Sequence, residues 1–374
     1  TINFVKTNYK VTNMKKTLIA FALAAMAATS ANATVIYKNE GTKIDLDGRG
    51  ALEIVKVKGK RTDLVDRGSR VRVRAFQELG GGFTALSAVE LRFTTNGTVG
   101  DGVKTQRLFV GFSHEDVGSL TFGRQLTLGD HIPKANYSYE LGGNVLHDSA
   151  PKAVHFMSNK FSGFRFAADY YFGEANKSEA ANGQGYGVGA FYDGQWGDVG
   201  VRFGSGYIEL TNKVAPTAAV PKTQEEYKQK IIGVGFDVKY KIVTVGFDWA
   251  HGKSTKGQKD YQFKHSMGKT LTDKVGSDTV VIGNIAKYEK IDRFDLGFKV
   301  ELTEKNALYG AYLWGTGKNE GQANGKHRGW VLGVDHKFSK QIAVYLEGGK
   351  AQVKENGKKV ADAGRVGVGV RILF

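Results

Sequence analysis

The chain of 374 residues contains no cysteine, which excludes a disulfide framework and any thiolate metal site. Its 50 glycines, 4 prolines and net charge of +16 accompany no later apolar run of the roughly 20 residues a transmembrane helix needs. The chain is therefore either soluble or a strand-built membrane protein, whose hydropathy signal is weak.

Residues 1–13 carry no motif and are expected to be an upstream extension. From Met14 the pattern is a secretory signal: Lys15 and Lys16 form a positive start, Leu18 to Ala28 an apolar run, and Ala31-Asn32-Ala33 a small-x-small cleavage site. Cleavage between Ala33 and Thr34 is expected, leaving 34–374 as a single domain. An exported protein rarely meets nucleic acid, so the basic excess points instead to anionic lipid or anionic solutes.

The following segments alternate apolar and polar residues with a period of two, the signature of strands with two unlike faces. The first run is Lys43 to Val57, with Ile44, Leu46, Leu52 and Ile54 opposite Asp45, Asp47, Arg49 and Glu53. Ser69 to Glu78, Phe83 to Phe93 and Lys104 to His114 follow, then Ser119 to Gly123 and a long connection over 124–151. Later runs are Lys152 to Phe161, Phe164 to Gly173, Gly185 to Asp193, Asp198 to Leu210, Lys230 to Tyr240 and Ile242 to His251. After a lysine-rich stretch over 252–287 come Tyr288 to Leu302, Ala307 to Gly315, Arg328 to Phe338 and Gln341 to Val353. Gly364 to Phe374 closes the series, with Val366, Val368, Val370, Ile372 and Phe374 on one face. Pro133, Pro151, Pro216 and Pro221 all fall in stretches read as loops, since proline cannot donate to a sheet ladder.

The count is about sixteen strands, an even number, joined alternately by tight turns and by longer loops. That asymmetry predicts an all-β fold: a 16-stranded antiparallel transmembrane β-barrel with short periplasmic turns and long extracellular loops. The last strand then pairs with the first and leaves no open edge.

The opening Val35-Ile36-Tyr37-Lys38-Asn39-Glu40-Gly41, with Asp45-Leu46-Asp47-Gly48-Arg49 after it, resembles that of Gram-negative general diffusion porins. So do Asp116-Val117-Gly118-Ser119 with Gly123-Arg124, Tyr139-Glu140-Leu141-Gly142-Gly143 and the terminal aromatic. The similarity is greatest to the major porins of the Haemophilus and Pasteurella group and covers nearly all of 34–374. It implies a passive channel for small hydrophilic solutes, a homotrimer in outer-membrane lipid and lipopolysaccharide, and an inward-folded third loop. It also implies that Phe374 is an assembly signal read by the barrel-assembly machinery.

On this resemblance the basic wall of a constriction would be Arg49, Arg70 and Arg124. The parity of Ser-Arg-Val-Arg-Val-Arg stacks Arg72 and Arg74 with Arg70 on one inner face, and such a stack needs counter-charges. Glu140 would be the facing carboxylate of the third loop. Glu90, on the polar face of its strand with Arg92, and Asp130 are further acidic candidates. Where many relatives place another loop acid this chain has Asn136, which tilts the expected selectivity toward anions. Lys152 and His155 lie where the family uses a further basic wall residue, but the local pattern departs there. The lysines of 252–287, from Lys253 to Lys274, suit lipopolysaccharide phosphates or plain solvation. Alternatives are a substrate-selective channel and a plugged barrel acting as an adhesin or structural protein. No Gly-x-Ser-x-Gly elbow, complete phosphate loop or His-Glu-x-x-His metal pair occurs, so no enzyme, cofactor or metal is expected.

Overall fold

In the computed structural model the described residues are 33–95, 98–142, 145–174, 183–213, 226–255, 257–263, 274–275, 278–279, 287–321 and 324–374. The signal segment up to Asn32, Pro216, Pro221, Lys256, Lys264, Lys269 and Val280 to Ile282 lie outside them.

The strands are β1 (Thr34–Asn39), β2 (Thr42–Val57), β3 (Thr62–Asp66), β4 (Arg70–Gly80), β5 (Phe83–Thr95), β6 (Val99–His114) and β7 (Gly118–Leu126). A four-residue helical turn, α1 (Leu128–His131), follows. Then come β8 (Ser149–Ser158), β9 (Phe164–Phe172), β10 (Gln184–Trp196), β11 (Val199–Lys213), β12 (Glu226–Tyr240) and β13 (Val243–Ser254). A two-stranded pair, β14 (Lys274–Val275) and β15 (Asp278–Thr279), stands apart. The series ends with β16 (Lys290–Glu301), β17 (Asn306–Lys318), β18 (Gly325–Lys337), β19 (Ile342–Glu355) and β20 (Lys358–Leu373).

Sixteen strands, β2, β4 to β13 and β16 to β20, form an antiparallel ring, and β20 pairs back on β2 from Arg49↔Leu373 to Val57↔Arg365. The closure is completed by Phe374, which exchanges backbone hydrogen bonds with Gly48 at 2.8 and 3.1 Å. Its ring lies over Gly48, where a Cβ would come within 2.4 Å of it. β1 continues on the same edge of β2 with Thr34↔Leu46, so β20 and β1 together occupy one strand's place. On the other edge β3 and β4 do the same, broken at Arg67-Gly68-Ser69. A strand cut into two short pieces has weak periodicity, which is why neither β1 nor β3 was expected.

Alternation decides the faces. Val366, Val368, Val370, Ile372 and Phe374 are 36–55% exposed on the outside. Asp45, Asp47, Glu53, Arg72, Arg74 and Glu90 are buried on the inside. A water-lined lumen and an apolar outer wall reverse the usual arrangement of a soluble protein, as a bilayer requires. Several boundaries differ from expectation, β20 beginning at Lys358 rather than Gly364 and β12 at Glu226 rather than Lys230 among them. β6 begins earlier, at Val99, because Gly100 and Gly102 hide its alternation. Pro151 lies inside β8, not in a loop: the register jumps from Gly123↔Ala153 to Gln125↔Ala150, and the bulge leaves Pro151 no ladder bond to donate.

Candidate functional site

Four strands set the inner wall rung by rung. Asp47, Arg72, Glu90 and Arg107 are directly across from one another on β2, β4, β5 and β6, alternating in sign. The next rung is Arg49, Arg70, Arg92 and Lys104, all basic. Like charges directly opposite repel across a sheet. Here the strands hold them, and Glu90 offsets them from the adjacent rung.

Glu90 is fully buried and pairs with Arg92 at 2.7 Å, Arg107 at 3.3 Å and Arg70 at 3.7 Å. It therefore belongs to the basic wall as its counter-ion and does not face that wall. The expected stack of Arg70, Arg72 and Arg74 divides in two. Arg72 pairs with Asp47 at 3.0 Å, and Arg74 lies 3.3 Å from Asp47 and 3.7 Å from Asp45. Their side chains are 9% and 3% exposed, against 22% for Arg70 and 21% for Arg92. Arg72 and Arg74 are thus neutralised within the wall, while Arg70 and Arg92 reach the lumen. Arg49 donates to the carbonyls of Gly68 (3.0 Å) and Arg67 (2.8 Å), and the charges acting on it include Arg371, Arg70, Glu140 and Arg92.

Arg124 departs from the expectation. It stands opposite Leu108, which is exposed on the outer face, and is itself exposed among Leu120 and Phe122. The twofold alternation of β7 runs through it, so Thr121 and Gln125 point inward and Arg124 points out. Lys152 is likewise exposed, whereas His155 is buried against Asp169 at 2.5 Å.

The connection between β7 and β8 reaches distant strands through their inner-face carboxylates. Leu128 N–H donates to Asp169 (2.8 Å), and the N–H groups of Lys134 and Ala135 donate to Asp248 (2.6 and 2.9 Å). Tyr137 O–H donates to Asp237 (3.2 Å) and Tyr139 O–H to Asp335 (2.9 Å). The N–H groups of Tyr139 and Glu140 both donate to Glu347, at 2.8 and 3.0 Å. Glycine permits this approach: a Cβ at Gly297 would lie 1.8 Å from the Ala135 carbonyl oxygen, and one at Gly235 2.3 Å from that of Ile132.

At the tip of this segment Glu140 accepts from Arg371 at 2.5 Å. Arg371 also donates to the Tyr139 carbonyl (2.6 Å) and lies 4.6 Å from the ring of Tyr139, which stacks on Tyr345 at 4.5 Å. Asp130, in α1, is exposed, and the charges acting on it include Asp148, Arg107 and Lys134. Arg107 and Arg371 were not anticipated as site residues. Arg371 sits on the polar face of the last strand. Arg107 was obscured by a bulge between Glu90↔Arg107 and Leu91↔Thr105 that shifts the parity of its strand.

The model of the Gram-negative porin family matches residues 17–356. The chain belongs to the Gram-negative porins. This porin is 34% identical over 379 residues to the major outer membrane protein of Pasteurella multocida strain Pm70, covering 96% of this chain and all of that one. Among solved structures it is similar to the trimer form of OmpT of Vibrio cholerae (TM-score 0.64, 17% identity, 90% of this chain and all of that one). It is also similar to an anion-selective porin from Comamonas acidovorans (TM-score 0.60, 15% identity, 89% and 100% covered). The porin is an outer-membrane protein and a diffusion channel.

Proposed function

We propose that this channel passes small hydrophilic solutes with a preference for anions, and that Arg49, Arg70 and Arg92, with Arg107 and Arg371, create that preference. The observation that carries it is the all-basic rung Arg49, Arg70, Arg92 and Lys104, one step from a rung whose charges cancel. The β7–β8 connection is the constricting third loop in this reading. What supports it is that a segment bonded to Asp248, Asp335 and Glu347 must cross the lumen to reach them. Glu140 then supplies the facing negative charge, although Arg371 already holds it. A unit charge matters more at such a narrowing: two charges about 4 Å apart interact by about 1 kcal/mol in water and about 4 kcal/mol at an effective dielectric constant near 20.

The solved relative described as an anion-selective porin has the same fold, and the OmpT relative is described in a trimer form. Homotrimeric assembly and cleavage before Thr34 belong to the same proposal. A heat-sensitive oligomer band on a native gel would support the first, and its absence would refute it. The mass of the outer-membrane protein decides the second: retention of residues 1–33 would contradict it.

The selectivity reading is tested by the zero-current potential of the purified channel under a salt gradient, for wild type and for Arg70→Ser with Arg92→Ser. The double substitution should move the potential toward the cation side. An unchanged potential would remove this rung from the account. Conductance that saturates with one solute would favour a substrate-selective channel instead.

A further inference from the structure

The wall is broken between β3 and β4, and the break is tightly built. β2 pairs with β3 as far as Leu52↔Asp66 and with β4 from Arg49↔Arg70, so Gly50 and Ala51 stand opposite three residues, Arg67, Gly68 and Ser69. One side of this step carries a residue more than the other, as in a β-bulge. The Asp66 carboxylate accepts from the N–H groups of Gly68 (2.8 Å) and Ser69 (3.0 Å), which folds the chain back on itself. Ser69 Oγ accepts from the Ala51 N–H (2.9 Å), and the Arg67 N–H donates to the Ala51 carbonyl (2.7 Å). Gly68 has φ +76°, in the left-handed region that other residues enter only under strain.

This bulge turns the carbonyls of Arg67 and Gly68 toward Arg49. Arg49 Nη2 donates to the first at 2.8 Å and Nε to the second at 3.0 Å, and two points of attachment fix the plane of a rigid guanidinium. Among the described residues no carboxylate lies within ion-pair distance of Arg49. Arg72 differs, because Asp47 holds it at 3.0 Å and neutralises it. A carbonyl carries no net charge, so it holds the guanidinium and leaves the positive charge to act on the lumen. Without that grip a long side chain samples many rotamers, and Glu140, one of the charges acting on Arg49, would draw it in.

We propose that Asp66, Gly68 and Ser69 are positioning residues for ion selectivity: their bulge fixes Arg49 with its charge uncancelled. The inference rests on the anion preference proposed above. A Cβ at Gly68 would lie 2.9 Å from Arg49 Nη2, so Gly68→Ala pushes on the arginine itself.

The test is the zero-current potential of the purified channel under a salt gradient at low salt, where the charge is least screened. It is recorded for wild type, Arg49→Ser, Gly68→Ala and the double variant. Gly68→Ala should lose most of the anion preference that Arg49→Ser loses, and should add nothing in the Arg49→Ser background, because the two changes act through one guanidinium. Asp66→Ala should also lower the preference. Loss of a carboxylate would by itself raise it, so the sign of the shift separates lost positioning from lost charge. Asp66→Asn keeps an oxygen for the Gly68 N–H and should not lower the preference. Single-channel conductance reports that each variant is folded, and if Gly68→Ala fails to fold, Asp66→Ala decides. A shift in Arg49→Ser with none in Gly68→Ala and Asp66→Ala would overturn this inference and leave the anion preference standing. So would a Gly68→Ala shift of equal size in the Arg49→Ser background. An unchanged potential in Arg49→Ser would overturn both.

Discussion

Arg72 and Arg70 are two residues apart on one strand and face the same way, yet their surroundings give them different work. Arg72 is buried against Asp47, whereas Arg70 shares Glu90 with two other arginines and keeps part of its side chain in the lumen. Removing Arg72 still leaves buried Asp47 with Arg74, 3.3 Å away, at a cost below the about 3–5 kcal/mol of a wholly uncompensated buried charge. Arg72→Ser is therefore expected to lower the unfolding temperature of the barrel, while the folded fraction keeps nearly the wild-type zero-current potential. Thermal denaturation followed by circular dichroism, with bilayer recording on the same sample, separates the two effects. A stable Arg72→Ser channel with altered selectivity would show that Arg72 faces the pore after all. The outward position of Arg124 follows from the same parity argument, and Arg124→Ser should leave the potential unchanged.

At the scale of elements, the β7–β8 connection is held by paired acceptors on the wall and by glycines that let it lie flat. Gly297→Leu would drive a side chain into the Ala135 carbonyl, and relief requires the segment to give up its hydrogen bonds to Asp248. The expected outcome is a severalfold rise in single-channel conductance and faster uptake of sugars by liposomes. Wild-type values in a folded Gly297→Leu protein would mean that the segment does not limit the pore. The closing strand gives a second test. Phe374 exchanges two backbone bonds with Gly48 and covers its Cα, so deleting Phe374 removes the last rung of closure. Much less folded protein should reach the outer membrane although export proceeds. Normal outer-membrane levels of the truncated chain would contradict this.

The whole molecule explains which features could be read from sequence. A barrel wall has lipid on one side and water on the other, so each spanning strand carries its own two-residue signature, and Ile44 to Ile54 or Val366 to Phe374 declare their faces without any partner. Counting such strands reached the ring of sixteen. The signal fails where geometry breaks the period: at the bulge that aligns Arg107 with Glu90, at Pro151, and where β3 and β4 divide one strand's place. Pairing is also invisible to periodicity. That Asp45 and Asp47 would neutralise Arg74 and Arg72, while Arg49 meets Arg70 and Arg92, depends on register between strands, which one sequence does not display.

The central claim concerns the sign of the field in an open, water-filled lumen, and the wild-type channel tests it directly. The measurement is the zero-current potential across a planar bilayer under a fixed salt ratio, first near 0.01 M and then near 1 M. At low salt the Debye length is about 30 Å and the arginine rung acts across the pore, whereas at 1 M it is about 3 Å and the rung is screened. The account predicts an anion preference at low salt that shrinks toward zero at high salt. A cation preference at low salt, or a folded barrel that conducts nothing, would contradict it.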